Sequence, residues 1–399
     1  MDIKELLGQV VQGGASDLHI AVGAPPLIRH QGALKPLSNL SPLTSENTQG
    51  IFDAVASEAD RGRLLRDREV DFAYSLPGVG RFRVNACYQR SSLKLTFRPV
   101  PFEVPELAAL GLPSVCRNLS LLSRGLILIC GPVGSGKSTT MSAMVDHINR
   151  TTTRHIVTIE EPIEYLHKNR KSLVTQREVG SDTTSFLSAL RHVLRQDPDV
   201  IAIGELRDIE TVSVAMRAAE VGHLVLGTFH ARSAVEAIER IYSLYPSELR
   251  AEVRFQLSTI FEAILYQVLL PRADGLGRVA AVEVLLGNRA IKNLIRDDHL
   301  AEIPNYQFLG RASGMRSMNQ ALAELLSSGS ITSEEALRVS PDPDGLKSIA
   351  SLPDRSLRLD QRSLLLDLAK RLKKSVNLEA LTESEASQLI QVWQRELTG

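Results

Sequence analysis

The pattern of hydrophobic and polar residues divides the chain into an N-terminal α+β region and a longer region of alternating strands and helices. Ile3, Leu6, Leu7 and Val10 are spaced as on one face of a helix. A polar stretch around 45–66 predicts one or two further helices. Short apolar or alternating runs predict strands at 17–22, 27–30, 71–76, 81–85 and 93–97. The last three are predicted to form an antiparallel meander.

The alternation of strand-like and helix-like segments from 107 to 290 predicts a parallel sheet with helices on both faces. Pro99, Pro101 and Pro105 precede it, and such spacing is expected to exclude regular structure. We therefore predict an α/β fold in five segments: a domain at 1–98, a linker at 99–106, an α/β core at 107–290, a helical part at 291–345 and a helical tail at 346–399.

The tail contains an amphipathic pattern. Thr382 and Glu385 have the spacing of a helix capping box, and Ala386, Leu389, Ile390 and Trp393 follow at helical spacing. This segment is predicted to pack on its own chain, and docking to a partner is the alternative.

A phosphate-binding motif follows the apolar run 126–130. Residues 131–138 match Gly-x-x-x-x-Gly-Lys-[Ser/Thr] at every required position, and apolar residues at helical spacing come after them. Strand, glycine-rich loop and helix together direct backbone N–H groups toward phosphate. The residues predicted to bind nucleotide are Gly131, Pro132, Val133, Gly134, Ser135, Gly136, Lys137, Ser138 and Thr139. We expect ATP as the ligand, with Mg²⁺ on the Ser138 hydroxyl.

Two acidic segments end apolar strands. Residues 158–165 contain Glu160, Glu161 and Glu164, which would repel one another unless a cation such as Mg²⁺ lay nearby. A solvated acidic turn is the alternative. Residues 199–205 form a second apolar strand that ends in Glu205, the candidate for polarising the attacking water and for contacting Mg²⁺, partly through water.

A histidine segment and three arginines complete the candidate site. His230 follows the predicted strand 224–229 and is a candidate sensor of the γ-phosphate. Arg81, Arg83 and Arg98 lie on predicted N-terminal strands. Arginines can neutralise charge that develops on phosphates, and a solvated sheet face is the alternative.

Composition narrows the class of protein. The 399 residues include 46 Lys+Arg and 46 Asp+Glu, so no overall positive charge attracts nucleic acid. The three cysteines, Cys87, Cys116 and Cys130, cannot form a four-cysteine zinc site. No apolar run approaches the length of a spanning helix, and the N-terminus has no signal-peptide pattern. We expect a cytoplasmic protein without direct membrane insertion.

In their order and spacing, the four segments at 131–138, 158–165, 199–205 and 222–230 resemble those of the secretion-type hexameric ATPases. Within that family the chain is most similar to the type IV pilus retraction (PilT-like) ATPases of twitching motility. Further matching segments are 15–19, 25–26, 81–85, 197–200, 277–281 and 290–296, the last resembling a motif associated with retraction. The resemblance covers residues 1 to about 340. The absence of a four-cysteine zinc module favours retraction over extension.

This resemblance implies a PAS-like N-terminal domain, a RecA-like ATPase domain, a homohexamer and a place at the inner-membrane base of the pilus machine. It also implies an inner-membrane platform protein as partner. In these roles Glu205 polarises the nucleophile, Glu164 orients metal-bound water, His230 senses the γ-phosphate, and Arg83 and Arg98 act as arginine fingers.

Three departures from the family pattern leave the exact role open. Glu161 stands where Asp is usual, Lys292 where Arg is usual, and Ala-Arg-Ser at 231–233 where Thr-Asn-Ser is usual. One alternative is an accessory, weakly hydrolysing retraction ATPase that acts with a paralogous partner ring. Others are a secretion or assembly ATPase of the same family, and a nucleotide-gated interaction protein. A DNA-translocating motor is disfavoured by the neutral charge.

Overall fold

A computed structural model describes residues 2–30, 32–37, 40–101, 103–351, 359–372 and 389–394. The chain divides into two compact units, the first formed by Met1–Leu269 with Val282–Ser317 and the second by Leu270–Ala281 with Met318–Gly399. Within the described residues, the chain is organised around two sheets of six and seven strands.

The first sheet is antiparallel. It is formed, together with its helices, by the N-terminal part of the chain. Apolar side chains of the first helix, including Leu7 and Val10, are fully buried in this region's hydrophobic core. The strand order is β3-β2-β1-β6-β5-β4. The elements are α1 (Ile3–Gln12), β1 (Asp17–Ile20), β2 (Leu27–His30), β3 (Ala33–Pro36), α2 (Ser45–Val55), α3 (Glu58–Asp67), β4 (Glu69–Leu76), β5 (Gly80–Gln89) and β6 (Ser92–Val100). The predicted meander is confirmed by the antiparallel pairs β4–β5 and β5–β6.

The expectation that the three prolines exclude regular structure is wrong for Pro99, which lies inside β6 opposite Phe82 of β5. On its other side β6 pairs with β1 over Leu95–Phe97, so the pairing with β1 ends before Pro99. A proline is tolerated there because its missing N–H interrupts no ladder on that edge.

The second sheet forms the α/β core, and its central strands are completely buried. The strand order is β13-β12-β7-β11-β10-β8-β9. Parallel pairing runs from β12 through β7, β11, β10 and β8 to β9. The strands are β7 (Gly125–Cys130), β8 (His155–Glu160), β9 (Leu173–Glu178), β10 (Val200–Ile203), β11 (Leu224–Phe229), β12 (Phe261–Pro271) and β13 (Arg278–Leu286).

Helices connect these strands and continue beyond them. They are α4 (Val115–Ser120), α5 (Lys137–Thr151), α6 (Phe186–Val193), α7 (Ile209–Glu220), α8 (Ala234–Ser243), α9 (Arg250–Ile260), α10 (Arg289–Arg296), α11 (Ile303–Leu309), α12 (Met318–Ser327), α13 (Ser333–Val339), α14 (Pro343–Ser351) and α15 (Leu359–Leu372). The predicted α/β fold class, with a smaller α+β region before the core and helices after it, is confirmed. The predicted segment boundaries remain predictions.

The tail forms a small hydrophobic cluster of its own. Leu365, Leu368 and Ala369 of α15 pack with Ile390 and Trp393. The predicted capping box, Thr382 and Glu385, and Ala386 lie outside the described residues. Ile390 and Trp393 of the last segment therefore contact their own chain, as one of the two interpretations expected.

Candidate active site

The loop 131–136 joins the buried strand β7 to helix α5. Parallel pairing with β11 on one side and β12 on the other fixes where β7 ends. Helix α5 begins at Lys137, and its N-cap residue, Gly136, supplies no side-chain acceptor to the first turn. The free N–H groups and the dipole at this end of a 15-residue helix therefore favour an anion.

Glycine is required at two positions of this loop for different reasons. At Gly131, φ is 147° and a Cβ would lie 2.3 Å from the backbone O of Gln267. At Gly136, φ is 86°, a left-handed conformation that side chains with a Cβ rarely adopt. The motif residues thus produce a loop that follows the neighbouring strand closely.

Lys137 folds back over the loop. Its Nζ donates to the backbone O atoms of Gly131 and Pro132, both at 2.9 Å. Desolvation by burial lowers the pKa of Lys137, and the carboxylate of Glu205 opposes this only in part. The ammonium is therefore held at the rim of the phosphate cradle, where a cation is needed.

An open cleft of about 370 Å³ lies at the carboxyl edge of the parallel sheet. Residues that follow β7, β8, β10 and β11 line it, as expected because the ends of parallel strands meet at one edge. The lining includes Val133, Gly134, Lys137, Ser138, Met141, Glu160, Glu161, Pro162, Glu164, Phe186, Gly204, Glu205, Arg207, Thr228 and His230. The structure therefore brings Lys137 and Ser138 together with Glu164, Glu205 and His230.

The side chains of Arg207 and His230 contact the carboxylate of Glu205. Arg207 Nη2 donates to Oε2 at 2.5 Å, and His230 Nε2 lies 3.0 Å from Oε1. Partial burial raises the pKa of Glu205, but the hydrogen bond and charge of Arg207, with His230 and Lys137, outweigh it and hold the pKa below its usual value. Glu205 is therefore kept ionised, as a group that polarises water must be. Arg207 was not predicted from the sequence.

The three carboxylates after β8 have separate partners. Glu160 is buried, accepts hydrogen bonds from Thr158 Oγ1 at 2.7 Å and Gln176 Nε2 at 3.1 Å, and has a pKa raised by burial. Glu161 Oε2 lies 3.8 Å from Arg207 Nη1, and Glu164 Oε1 lies 3.4 Å from Arg83 Nη2. The protein itself therefore supplies cations to two of the three groups for which Mg²⁺ was expected.

The candidate finger arginines lie beside the cleft and do not line it. Arg83 and Arg98 line a second cavity, of about 610 Å³, which shares Glu161 and Pro162 with the cleft. Arg83 also donates to the backbone O of Ile163 at 3.3 Å, while Arg98 pairs with Asp17 at 2.8 Å.

The third arginine, Arg81, forms an ion pair with the buried carboxylate of Glu178 at 3.2 Å. Glu178 also accepts from the backbone N–H of Ile163 at 3.0 Å. Glu178 thus connects the N-terminal sheet to the loop after β8. Nothing in its local sequence predicts this role.

Gln267 of β12 is a further residue of the site that was not predicted from the sequence. It is 1% exposed and hydrogen bonds to Ser135 and Thr140. Its neighbours along β12, from Ile264 to Leu270, carry no motif, so no local signal could have identified it.

The donor set fits a magnesium ion held jointly with phosphate. Within the described part of the chain, no group of three or more His, Cys, Asp or Glu side chains could hold a metal ion. Mg²⁺ usually binds one or two protein oxygens and completes its shell with phosphate oxygens and water. The Ser138 hydroxyl and the Glu205 carboxylate, both at the cleft, are groups of the required kind.

No helix in the described ranges is long and apolar enough to cross a membrane.

A family model described as type II/IV secretion system protein matches residues 96–321. The type IV pilus retraction ATPase PilT of Pseudomonas aeruginosa is 42% identical over 344 residues, which cover 86% of this chain and 99% of the relative. The type IV pilus ATPase PilU of the same organism is 40% identical over 356 residues, covering 89% and 93%.

A crystal structure of the pilus retraction motor PilT with bound ADP matches with a TM-score of 0.80 and 47% sequence identity. The match covers 87% of this chain and 99% of that one. The likeness therefore extends well beyond the phosphate-binding motif.

Proposed function

The chain belongs to the type II/IV secretion system ATPase family, and we propose that it is an ATPase that powers retraction of a type IV pilus. The observation that supports this most is the cleft that brings the loop 131–136, Ser138, Glu205 and His230 to one edge of the sheet. A pilus retraction motor with bound ADP has the same fold over 87% of the chain.

In the proposed reaction, water attacks the γ-phosphate of ATP and yields ADP and phosphate. The backbone N–H groups of the loop and of the first turn of α5 bind the phosphate oxygens, and Lys137 balances their charge. Bound Mg²⁺ would supply further charge neutralisation, held by the Ser138 hydroxyl and, partly through water, by Glu205. These groups position the triphosphate and withdraw charge from the leaving group.

Glu205 accepts a hydrogen bond from the attacking water and orients it. Because Arg207 and His230 hold its carboxylate ionised, Glu205 remains an acceptor at neutral pH. His230 lines the same cleft and contacts this carboxylate, and we propose that it senses the γ-phosphate. Glu164, which also lines the cleft, is proposed to orient a metal-bound water.

Arg83 and Arg98 are proposed as the fingers that stabilise charge on the transferred phosphoryl group. Arg83 is separated from the cleft by Glu164, with which it pairs at 3.4 Å. We propose that a rotation of the N-terminal sheet relative to the core brings Arg83 to the phosphate and performs the work. A homohexamer in the cytoplasm, bound to a platform protein of the inner membrane, is the assembly we propose for that work.

A second candidate is an accessory retraction ATPase that needs a paralogous ring. Two different pilus ATPases of one organism, PilT and PilU, are 42% and 40% identical to this chain, so pilus ATPases of this family occur as paralogues. Glu161, which replaces the usual Asp, lies 3.8 Å from Arg207. The longer side chain therefore reaches the arginine that holds Glu205, and slower turnover is expected if it draws Arg207 away.

The decisive experiment measures ATP turnover of the purified chain together with its mass in solution, with and without Mg-ATP. We expect a hexamer whose turnover falls at least a hundredfold in Glu205→Gln while ATP binding is retained. Lys137→Ala is the control that removes binding. Unchanged turnover in Glu205→Gln would remove that residue from the role, and a hexamer that binds ATP without turnover would favour the accessory function.

A further inference from the structure

Gln267 connects the C-terminal end of the phosphate-binding loop to helix α5 through one buried amide group. Its Nε2 donates to the backbone O of Ser135 at 2.6 Å, and its Oε1 accepts from Thr140 Oγ1 at 2.9 Å. Gln267 is 1% exposed, and Ser135 and Thr140 are each 2% exposed. A side chain from a strand that is distant in sequence thus connects the loop to the first turn of α5.

The register of β12 explains why Gln267 reaches the loop. β12 pairs in parallel with β7, with Tyr266 opposite Cys130, so Gln267 follows at the level of Gly131. A Cβ at Gly131 would lie 2.3 Å from the backbone O of Gln267, and one at Gly136 would lie 3.1 Å from its Nε2. Backbone and side chain of one residue therefore form the inner wall of the loop.

Such a loop needs external support because its glycines have many accessible conformations. Gly131, Gly134 and Gly136 all have positive φ, with values of 147°, 76° and 86°. If the loop is ordered before the nucleotide arrives, its ordering entropy does not reduce the binding free energy. Lys137 also bonds to the loop, but its ammonium is proposed to contact phosphate. Gln267 supports the loop without occupying the cleft.

The chemistry of the contact requires an amide. The carbonyl of Ser135 needs a donor and the hydroxyl of Thr140 needs an acceptor, and glutamine offers both from one planar group. Methionine has a similar size, but it has no strong hydrogen-bond donor and no strong acceptor. Gln267→Met would leave two buried polar groups without their partner, which is costly at this depth.

We propose that Gln267 is a positioning residue that pre-organises the loop for the β-phosphate of a nucleotide, an inference that rests on the proposed function. The β-phosphate is common to ADP and ATP. Loss of Gln267 therefore weakens both nucleotides by the same factor. Interactions shared by the ground state and the transition state change KM and leave kcat nearly unaltered.

The test measures the Kd of Mg-ADP and of a non-hydrolysable Mg-ATP analogue by calorimetry on the full chain. For Gln267→Met we expect both Kd values to rise about tenfold, equivalent to about 1.4 kcal/mol. Where the chain turns over ATP, KM rises by the same factor with kcat changed less than twofold. Thr140→Val removes one of the two bonds and is expected to raise both Kd values about threefold, while Thr140→Ser keeps the hydroxyl and restores wild-type binding.

Gln307→Met is the matched control, because Gln307 is also a buried, hydrogen-bonded glutamine but contacts Glu283 and Val284. It is expected to lower the melting temperature without changing either Kd. The inference is overturned if Gln267→Met binds as tightly as wild type, or if Gln307→Met weakens binding equally. If Gln267→Met fails to fold, equal binding by Thr140→Val and Thr140→Ser overturns it. A wild-type chain that binds neither nucleotide refutes the proposed function itself, and the inference with it.

Discussion

Glu283 is a buried carboxyl group whose ionisation is expected to contribute to the pH dependence of the protein's stability. It lies on β13 with 7% of its surface exposed, and its Oε1 accepts from Gln307 Nε2 at 3.2 Å. Burial raises its pKa to about 7, and the hydrogen bonds from Gln307 and from the backbone of Ala234 oppose this only in part. Ala234 is the first residue of α8, which follows the loop that carries His230.

The raised pKa has a definite sign and magnitude. Between pH 4.5 and 7 this group keeps a proton in the folded chain that it has released in the unfolded chain, so its contribution to stability decreases as pH rises through this range. A pKa raised from 4.5 to about 7 corresponds to about 3 kcal/mol of unfolding free energy. This contribution is fully present below pH 4.5 and is lost above pH 7.

Glu283→Gln removes the ionisable group and retains its size. Because the amide cannot ionise, we expect the variant to lack this pH-dependent loss and to be more stable than wild type at pH 8 by about 2 kcal/mol. This value is the destabilisation of about 3 kcal/mol that ionisation of the buried carboxyl group causes, minus about 1 kcal/mol because the amide forms an imperfect hydrogen bond with Ala234. Urea denaturation followed by circular dichroism at pH 5, 6, 7 and 8 measures the difference between variant and wild type at each pH.

Glu239→Gln, an exposed carboxylate on α8, makes the same chemical change at the surface and is the control. Its difference from wild type should stay within about 0.5 kcal/mol at every pH. Curves for Glu283→Gln and wild type that run parallel from pH 5 to 8 would refute the reasoning, because the buried group would then titrate as it does in the unfolded chain.

Two further predictions concern the loop and helix α10. Gly131→Ala places a Cβ 2.3 Å from a backbone oxygen, so Mg-ADP binding should weaken at least tenfold in calorimetry, whereas Gly134→Ala, whose Cβ meets nothing within 4 Å, should lose less. A smaller loss in Gly131→Ala than in Gly134→Ala would contradict the steric argument. Lys292→Met removes the 2.9 Å ion pair with the partly exposed Glu262, which should cost less than about 1 kcal/mol and vanish in 0.5 M salt. A larger loss, unaffected by salt in urea titrations, would show that packing of the lysine stem matters more.

The element types were predictable where the local pattern was strong. The helix at Ile3–Gln12 and the meander from Glu69 to Val100 follow from their apolar spacing. Strand Ala33–Pro36 was not predicted, because all four of its residues are exposed and carry no alternation. Pro99 was misjudged because only the tertiary pairing shows that β6 has a free edge at that point.

The same distinction applies to the cleft. Residues 131–138 and Glu205 were identifiable because the phosphate-binding loop and the acidic strand end are each continuous in sequence. Arg207 lies only two residues beyond Glu205, but an arginine after a strand has no specific meaning until its hydrogen bond to that carboxylate is known. The partner of Arg81 was equally hidden, since Glu178 is 97 residues away on an unremarkable strand.

Gln267 shows why a complete motif does not describe a complete site. The loop residues determine which backbone angles are possible, but the carbonyl of Ser135 needs a donor that the motif lacks. The donor comes from a strand 132 residues later, and it arrives only because β12 pairs with β7 in one register. A shift of one residue would turn the amide to the other face of the sheet. The binding strength of the loop is therefore set partly by strand pairing, which no local pattern records.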